Sequence, residues 1–513
     1  MLRPMVATAA VTAAVVLLAG CGGNDKTSDS SADGGGGKSA PSTPSTPSVP
    51  SFDPPKAFTA TAAYPNTRDK AASSTLTTEV GIVGQTALAV TVNGITGRNI
   101  TDGVANPWMV PSKTADTTTV TAQTKPMAVK LDGKDAVAVA YLEDDKGNGT
   151  QKTKGLVVFQ WIDPADGKKL AEATADLSRL IGPGESGKAF GAQTWDAETG
   201  QIAVGVGAGS ETASKKVGRR FAVFADPKTQ KATMIPFVNP AGVLGGTVAG
   251  AKGSNEEGAG NGTVVQADGA TGKVLKQFPT GQDYLTVIGT GPKRGYFSSS
   301  KYVKAKPGSY DGTYKNVLYS VDIATGAVVT TKSGAVNTDA ANYNCWSDRA
   351  NATVCVGGTQ NDDDTEIIGF DDTSGKKTWG YTSKSANRII PDITTAYHGV
   401  VYAQTEAQPV LLNATTGADI PTAGPTSSGT TPTDASTPSS GGTPSSGDTP
   451  SSGSTPSDGG TPGAGNAGSD MSLYNGKPAS PDAVSPYGAV YKQAASGDQY
   501  DIESILIALK ATA

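Results

Sequence analysis

Short runs in which hydrophobic and polar residues alternate recur along the middle of the chain, from about residue 75 to residue 420. Each run is bounded by Gly, Asp, Asn or Ser, as in "DAVAVAYLED", "GLVVFQWID", "RRFAVFADP", "NVLYSVDIA" and "GVVYAQ". Alternation with a period of two between turn residues is typical of half-buried β-strands, and no helical period competes with it. The pattern predicts an all-β domain.

Several runs end in the same five-residue turn, in which an Asp or Asn comes first and, in most cases, a Gly comes last. The side chain of this Asp or Asn can accept a hydrogen bond from the backbone amide two residues further along the chain. The Gly supplies the positive φ that the chain reversal needs. A weaker seventh example spans Asn93 to Gly97. The six clear turns begin at Asp163, Asp226, Asp268, Asp322, Asp371 and Asn413.

The spacing of these turns predicts the architecture. Neighbouring turns begin 42 to 63 residues apart, and a period near 50 with about four strands per repeat is typical of β-propeller blades. About 400 ordered residues at this period give eight four-stranded blades, or seven if the blades are longer, and eight is favoured. A β-sandwich is the competing fold, but it explains six similar turns at such long spacing less well.

The C-terminal tail repeats part of the main body. "PDAVSPYGAVYKQ", which begins at Pro481, shares its Pro, Asp, Tyr, Gly, Val, Tyr and Gln in order with "PDITTAYHGVVYAQ", which begins at Pro391. The repeat predicts two strands of a last blade, and residues 500–510 supply another. The missing strand is expected near residues 56–64, so that the two chain ends share one closing blade. Alternatively, residues 472–513 form an amphipathic helix or a separate partner-binding tail.

Composition divides the remainder of the chain. Residues 1–20 read as a signal peptide, with Arg3 followed by an apolar run too short to be a membrane-spanning helix. Residues 21–56 are rich in Gly, Ser, Asp, Thr and Pro, which predicts a disordered tether with a reach of about 30 Å. The propeller is assigned to residues 57–421. Residues 422–470 form a Thr/Pro/Ser/Gly low-complexity linker, and residues 471–513 complete the propeller.

The end of the apolar run, Leu18-Ala19-Gly20-Cys21, resembles a bacterial lipobox. The resemblance implies that Cys21 takes a lipid and becomes the new N-terminus, which places the protein at the cell membrane on its extracytoplasmic side. The alternative is an ordinary secretory signal with a chance cysteine. Two other cysteines, Cys345 and Cys355, flank a turn-like segment, and in an exported protein they predict one disulfide across a hairpin.

Charge argues against a nucleic-acid partner. The net charge is −5, and the one dense basic run, "KKVGRR" at residues 215–220, reads as a solvated hairpin tip. His398 is the single histidine, which disfavours a zinc site or a His-based triad, and an inner-strand position is expected for it. The acidic clusters at residues 143–149 and 361–366 are interpreted as hairpin tips in preference to calcium sites.

The segment "GPGESGKA" at residues 182–189 matches part of a phosphate-binding loop. Ala189 replaces the Ser or Thr that would hold magnesium, and a strand follows where that loop requires a helix. A connection between blades is therefore the preferred interpretation. No catalytic residue, cofactor or metal ligand is predicted anywhere in the chain.

One blade resembles the PQQ-like (quinoprotein dehydrogenase-like) propeller repeat, whose pattern is Asp-x-x-Thr/Ser-Gly-Lys-x-x-Trp. "DDTSGKKTW", from Asp371 to Trp379, matches it in full, and the resemblance implies that Trp379 docks on the neighbouring blade. Other blades carry Ala171, Lys276 and Thr330 at the Trp position. The family's dehydrogenases have adjacent cysteines beside the cofactor, which Cys345 and Cys355 are not, so no PQQ is expected.

These observations predict a lipid-anchored extracytoplasmic β-propeller that acts as a non-catalytic binding or scaffold module. Its partners would be the membrane, through the lipid on Cys21, and a protein or glycan. The alternative is a cell-envelope enzyme, such as a lyase, a hydrolase or a PQQ-type oxidoreductase, with its site at the central funnel of the ring.

Overall fold

The computed structural model describes fourteen stretches of the chain, all within the unit Val49–Ala513. They are residues 49–67, 78–101, 107–151, 153–178, 189–208, 219–252, 262–282, 285–307, 312–335, 341–358, 364–384, 387–421, 469–495 and 502–513. No helix in these stretches is long and apolar enough to cross a membrane.

The described residues form eight antiparallel sheets of four strands, which are the blades of one ring. The strands of blades 1 to 4 are β2 (Glu79–Val83), β3 (Thr86–Thr91), β4 (Gly94–Asn99) and β5 (Trp108–Pro111); β6 (Thr118–Gln123), β7 (Met127–Leu131), β8 (Lys134–Asp145), β9 (Lys154–Ile162) and β10 (Lys169–Asp176); β11 (Ala189–Trp195), β12 (Ile202–Ala208), β13 (Arg219–Asp226) and β14 (Lys231–Pro236); and β15 (Asn239–Leu244), β16 (Thr247–Lys252), β17 (Thr263–Asp268) and β18 (Val274–Pro279).

Blades 5 to 7 repeat this order, and blade 8 combines the two ends of the chain. Their strands are β19 (Thr286–Thr290), β20 (Arg294–Lys304), β21 (Gly312–Asp322) and β22 (Val328–Lys332); β23 (Asn342–Ser347), β24 (Ala352–Gly358), β25 (Glu366–Asp371) and β26 (Lys377–Thr382); β27 (Asp392–Tyr397), β28 (Val400–Gln404), β29 (Pro409–Asn413) and β30 (Asp419–Ile420); and β31 (Ala483–Ser485), β32 (Gly488–Ala494), β33 (Ile502–Ala511) and β1 (Phe58–Thr67).

Blade 2 contains five strand segments but keeps the four-stranded plan. β6 and β7 pair with successive parts of β8, the first from Tyr141 to Asp145 and the second from Lys134 to Ala138. Together they make one inner strand that is interrupted before Met127. The first strands of neighbouring blades contact one another around the ring and are therefore its innermost strands.

Eight separate hydrophobic clusters hold the ring together, one at each seam between neighbouring blades. This follows from the alternation in the sequence, because a strand in the middle of a blade buries its side chains against the blades on both sides. Trp161 and Phe159, for example, are completely buried between blades 2 and 3. The prediction of eight blades is confirmed.

The closing blade is also confirmed. β1 pairs along its length with β33, so that Phe58 lies opposite Ala511 and Asn66 lies opposite Ser504. Residues 502–511 are a strand, which rules out the helical alternative for this segment. The single helical segment in the described residues is η1 (Met471–Leu473), a short 3-10 turn that contacts β1.

The two faces of the ring differ. The connections between the first and second strands, and between the third and fourth, lie on what we call the turn face. The connections between the second and third strands, and from one blade to the next, lie on the opposite side, which we call the loop face. This division follows from the antiparallel order of every sheet.

Candidate functional site

The six Asx turns all join the third strand of a blade to the fourth, on the turn face. In blade 6 the Asp371 side chain accepts a hydrogen bond from the Ser374 amide at 2.6 Å, and Gly375, with φ 71°, donates to the Asp371 carbonyl at 2.7 Å. These local hydrogen bonds and a residue tolerant of positive φ explain the recurring pattern. The seventh example was wrong, because Asn93 lies between the second and third strands of blade 1 and Gly97 lies inside β4.

Side chains of one blade donate hydrogen bonds to the Asx turn of the next blade. The ring nitrogen of Trp379 donates to the carbonyl of Ala414, in the turn of blade 7, at 2.9 Å, which is the docking that the resemblance implied. Trp108 makes the same contact with the Pro164 carbonyl of blade 2 at 3.0 Å. Lys276, at a Trp position of the repeat, donates instead to the Thr325 carbonyl of blade 5 at 2.7 Å. Sequence reasoning missed Trp108, because no Asx turn precedes it.

The predicted disulfide is present. Cys345 on β23 and Cys355 on β24 lie directly opposite each other and are bonded, with their Cα atoms 4.0 Å apart. Cys355 is fully buried, whereas Cys345 is partly buried at the seam between blades 5 and 6. The bond therefore links the first two strands of blade 6.

His398 occupies a turn and not the inner-strand position that was expected. It lies between β27 and β28 with φ 40°, where the following Gly399 completes the reversal. Its Nδ1 lies 2.5 Å from the Asp53 Oδ1. This contact is part of the route by which the chain enters the ring, since Tyr402 also donates to the Pro55 carbonyl at 2.6 Å.

The N-terminal segment therefore reaches the ring on the turn face. Phe52 donates its amide to the Pro486 carbonyl, in the turn between β31 and β32, and Lys56 donates to the Ala513 carbonyl at 2.6 Å. β1 then runs towards the loop face, where it ends at Thr67 beside Ile502.

Among the described residues, the loop face carries a projecting element that we call the ribbon: residues 300–304 of β20 and residues 312–316 of β21. Within β20, β19 pairs no further than Ser298, and within β21, β22 pairs no further than Val317. Asn316 still accepts a hydrogen bond from the Ser333 amide, and the four cross-strand pairs beyond it have no neighbouring strand among the described residues. The ribbon carries three exposed lysines, and a fourth, Lys306, lies just beyond it.

Three acidic residues lie at the loop-face ends of inner strands. Asp392 and Glu79 begin the inner strands of blades 7 and 1, and Asp482 immediately precedes that of blade 8. Asp482 accepts a hydrogen bond from the Lys492 amide at 2.8 Å, and crowding by surrounding protein raises the pKa of its carboxyl, although Lys125 and Lys492 lower it.

Glu143 is the most deeply buried carboxylate of the first acidic cluster. It lies on β8 with no exposed surface, accepts a hydrogen bond from the Thr114 hydroxyl at 2.7 Å, and has a second oxygen without a partner. Burial raises the pKa of Glu143. Asp145 ends the strand and accepts from the Gly147 amide, as expected for a hairpin tip. Within the described residues, no three His, Cys, Asp or Glu side chains converge as a metal site.

A groove of about 600 Å³ lies at the rim between blades 6 and 7. Arg388 crosses it, with its guanidinium 4.6 Å from the centre of the Tyr381 ring and 2.7 Å from the Asp419 carboxylate. Ile389 lies on its edge with 77% of its surface exposed. Arg388, the arginine of this groove, is thus already paired with groups of the protein itself.

Several predicted features lie outside the described residues. These are Cys21 and the rest of residues 1–48, most of the segments at residues 182–189 and 215–220, and residues 361–363 of the second acidic cluster.

No family model matches the chain, and no curated protein matches it. Among solved structures, it is similar to prolyl endopeptidases at 14% identity and a TM-score of 0.36, covering 67% of this chain and 48% of that one. The chain therefore spans about half the length of that protein. It is also similar to the Dos1 propeller, at 8% identity and a TM-score of 0.40, covering 71% of this chain and 85% of that one.

A third similar structure is the β-propeller domain of the Trilobed protease from Pyrococcus furiosus, at 12% identity and a TM-score of 0.32, covering 58% of this chain and 81% of that one. These similarities concern the fold alone, since identities of this size carry no information on activity or partners.

Proposed function

We propose that the protein is a lipid-anchored extracytoplasmic β-propeller that acts as a binding or scaffold module, with no catalytic activity of its own. The anchor is the lipid expected on Cys21, and the PQQ-like resemblance describes the lineage of the repeat without its cofactor. The observation that carries the proposal is the difference between the two faces of the ring. The chain enters on the turn face, and the ribbon, a projecting element of the described residues, is on the loop face.

This difference between the faces suggests that one face is turned towards the membrane and the other is available for binding. A lipid at Cys21 would hold the turn face on the membrane side, through residues 21–56, and would direct the loop face away from the bilayer. Binding residues are commonly displayed on the loops of a rigid scaffold, because the scaffold fixes their positions. A propeller that is closed by strands from both chain ends is such a scaffold.

The anchor is tested with Cys21→Ser. Wild-type protein is expected in the membrane fraction with a fatty-acid probe attached to its mature N-terminus. The variant should be released into the medium or remain unprocessed, and it should not take up the probe. Labelling of the variant at the mature N-terminus would overturn the lipid assignment.

The display of the loop face is tested by site-specific photocrosslinking on intact cells. A crosslinking side chain at Lys306, on the loop face, should give a discrete adduct with an envelope component. The same group at Lys273, an exposed position on the turn face, should not. Equal adducts from both positions, or none from either, would contradict a binding role for the loop face.

A second candidate function is an envelope enzyme with its site at the central funnel. One observation favours it: Asp392, Asp482 and Glu79 lie at the loop-face ends of three consecutive inner strands, and the raised pKa of Asp482 suits a general acid. Turnover of an envelope polysaccharide by the purified protein, lost in Asp482→Asn, would establish it. Binding without any turnover would leave the first proposal standing.

A further inference from the structure

The ribbon of blade 5 extends beyond the sheet that supports it. Blade 2 has a second hairpin of similar length, but there the inner strand β6 follows β8 as far as Asp145, and β10 follows β9 as far as Leu156. In blade 5 the pairs from Lys301 and Lys315 outwards have no such cover among the described residues. A two-stranded ribbon by itself is marginally stable in water, so its extension calls for a reason.

The ribbon concentrates positive charge. Lys301 lies directly opposite Lys315 on one face, and both side chains are exposed. Lys304 lies on the other face, because side chains alternate along β20, and Lys306 follows beyond the strand. Like charges directly opposite each other destabilise a strand pair, and within the described residues none of these four lysines forms an ion pair. This basic group belongs to a chain whose net charge is −5.

The other face of the ribbon carries an aromatic pair. Tyr302 and Tyr314 are cross-strand partners, with ring centres 5.2 Å apart and planes inclined at 56°. Both are only half-buried. Tilted aromatic rings stabilise the hairpin, and their exposed parts offer an apolar surface on the face that also carries Lys304.

Protection of an exposed edge is a simpler explanation for the lysines, since proteins place lysine on uncovered strands to prevent pairing with other chains. That explanation accounts for charge but not for its arrangement. A Lys opposite a Glu would protect the edge equally and would stabilise the pair. The repulsive pair at Lys301 and Lys315 instead suits an external anion that lies between the two ammonium groups.

We propose that the ribbon binds an anionic polysaccharide, in which carboxylate or phosphate groups meet the lysines and sugar rings stack on Tyr302 and Tyr314. An anionic membrane would satisfy the lysines equally, but the ribbon is on the face opposite to the entry of the N-terminal segment. This choice of a glycan over a bilayer rests on the anchoring in the proposed function. Exposed ion pairs are individually weak, so a repeating polymer that engages several of them suits this surface best.

The test is a binding assay on the purified full-length protein with four probes. Polygalacturonate supplies carboxylates on sugar rings, dextran supplies uncharged sugar, polyphosphate supplies charge without sugar, and phosphatidylglycerol vesicles supply an anionic membrane. Polygalacturonate should bind, and its affinity should fall as salt is added. Dextran should not bind, and polyphosphate and the vesicles should bind at least about tenfold more weakly, a difference of about 1.4 kcal/mol.

Lys315→Glu separates binding from edge protection. It creates a Lys–Glu pair across the ribbon, so thermal stability should be unchanged or higher, while affinity for polygalacturonate should fall about tenfold, as expected when one attraction becomes a repulsion. Lys273→Glu makes the same charge change on the turn face and should leave affinity unchanged. Tyr314→Ser should weaken binding of polygalacturonate but not of polyphosphate.

Three results would overturn the proposal: no binding of polygalacturonate, undiminished binding by Lys315→Glu, or vesicles or polyphosphate binding as tightly as the glycan. The assay does not depend on the lipid. If Cys21 proves to be unmodified while the Lys315→Glu effect holds, the anchor is wrong and the glycan site stands.

Discussion

Three buried aspartates near the turn face each join two blades. The second carboxylate oxygen of Asp196 accepts the Gly245 amide of blade 4, that of Asp348 accepts the Gly399 amide of blade 7, and that of Asp372 accepts the Lys293 amide of blade 5. Asp196 and Asp348 also accept backbone amides of their own blades, whereas Asp372 in blade 6 also accepts the Tyr296 hydroxyl of blade 5. Hydrogen bonds to a charged acceptor are stronger than neutral ones, so these residues stabilise the contacts between neighbouring blades.

The pKa of a buried carboxyl depends on how far hydrogen bonds to the carboxylate compensate for its burial. Burial raises the pKa of Asp372, although the Lys293 amide and the Tyr296 hydroxyl counteract this. Burial likewise raises the pKa of Glu143, although hydrogen bonds from Thr114 lower it, and one of its oxygens is buried without a partner. For both groups the folded protein holds the proton more tightly than the unfolded chain does.

Glu143→Gln should therefore stabilise the protein at neutral pH. As pH rises from the ordinary pKa of a glutamate to the raised pKa of Glu143, the folded state carries the extra proton, so wild-type stability falls. Glutamine has no such loss. Denaturant unfolding at pH 4 and pH 7.5 should show a larger gain for the variant at pH 7.5. A gain that is equal at both pH values, or that also occurs in the exposed control Glu198→Gln, would contradict this.

Reduction of Cys345–Cys355 should lower the free energy of unfolding by about 2 to 3 kcal/mol, because the bond closes a short loop and limits the unfolded chain. The measurement is denaturant unfolding with and without reductant. In the folded, unreduced protein neither cysteine should react with an alkylating agent. Free thiols under these conditions would disprove the bond.

At the scale of elements, a tryptophan on the fourth strand fastens each of two blades to the next. Trp379→Phe keeps most of the apolar contact but removes the donor to the Ala414 carbonyl. We expect a loss of about 1 to 3 kcal/mol in unfolding free energy. Trp195→Phe is the control, since its ring nitrogen makes no hydrogen bond within the described residues. Equal losses in the two variants would show that the docking bond contributes nothing.

The sequence predicted elements well where the chemistry is local. The turn at Asp371 is encoded by an Asx side chain and a Gly a few residues apart, so it is readable directly. The ribbon was missed because alternation marks β20 and β21 as strands but does not reveal where β19 and β22 stop. His398 was misplaced for a related reason, since its positive φ depends on the turn that Gly399 completes.

At the scale of the whole molecule, closure depends on residues far apart in the sequence. The tail was readable because it copies the strands after Pro391, and β31 and β32 indeed occupy the places in blade 8 that β27 and β28 occupy in blade 7. Contacts such as Asn66 with Ser504 could not be predicted in detail. They depend on the radius of the ring, which no local pattern contains.

The last prediction concerns that closure. Ending the chain at Asp470 removes β31, β32 and β33, which leaves β1 without its partner and exposes the buried surfaces at the seams with blades 7 and 1. Buried apolar surface contributes about 25 cal/mol per Å², so the loss of two seams should lower the melting temperature by many degrees. Shortening residues 422–468 to about ten residues is the matched control. The cost of loop closure changes only logarithmically with length, so that variant should melt close to the wild type. A truncated protein that melts like the wild type would show that the tail is not needed to close the ring.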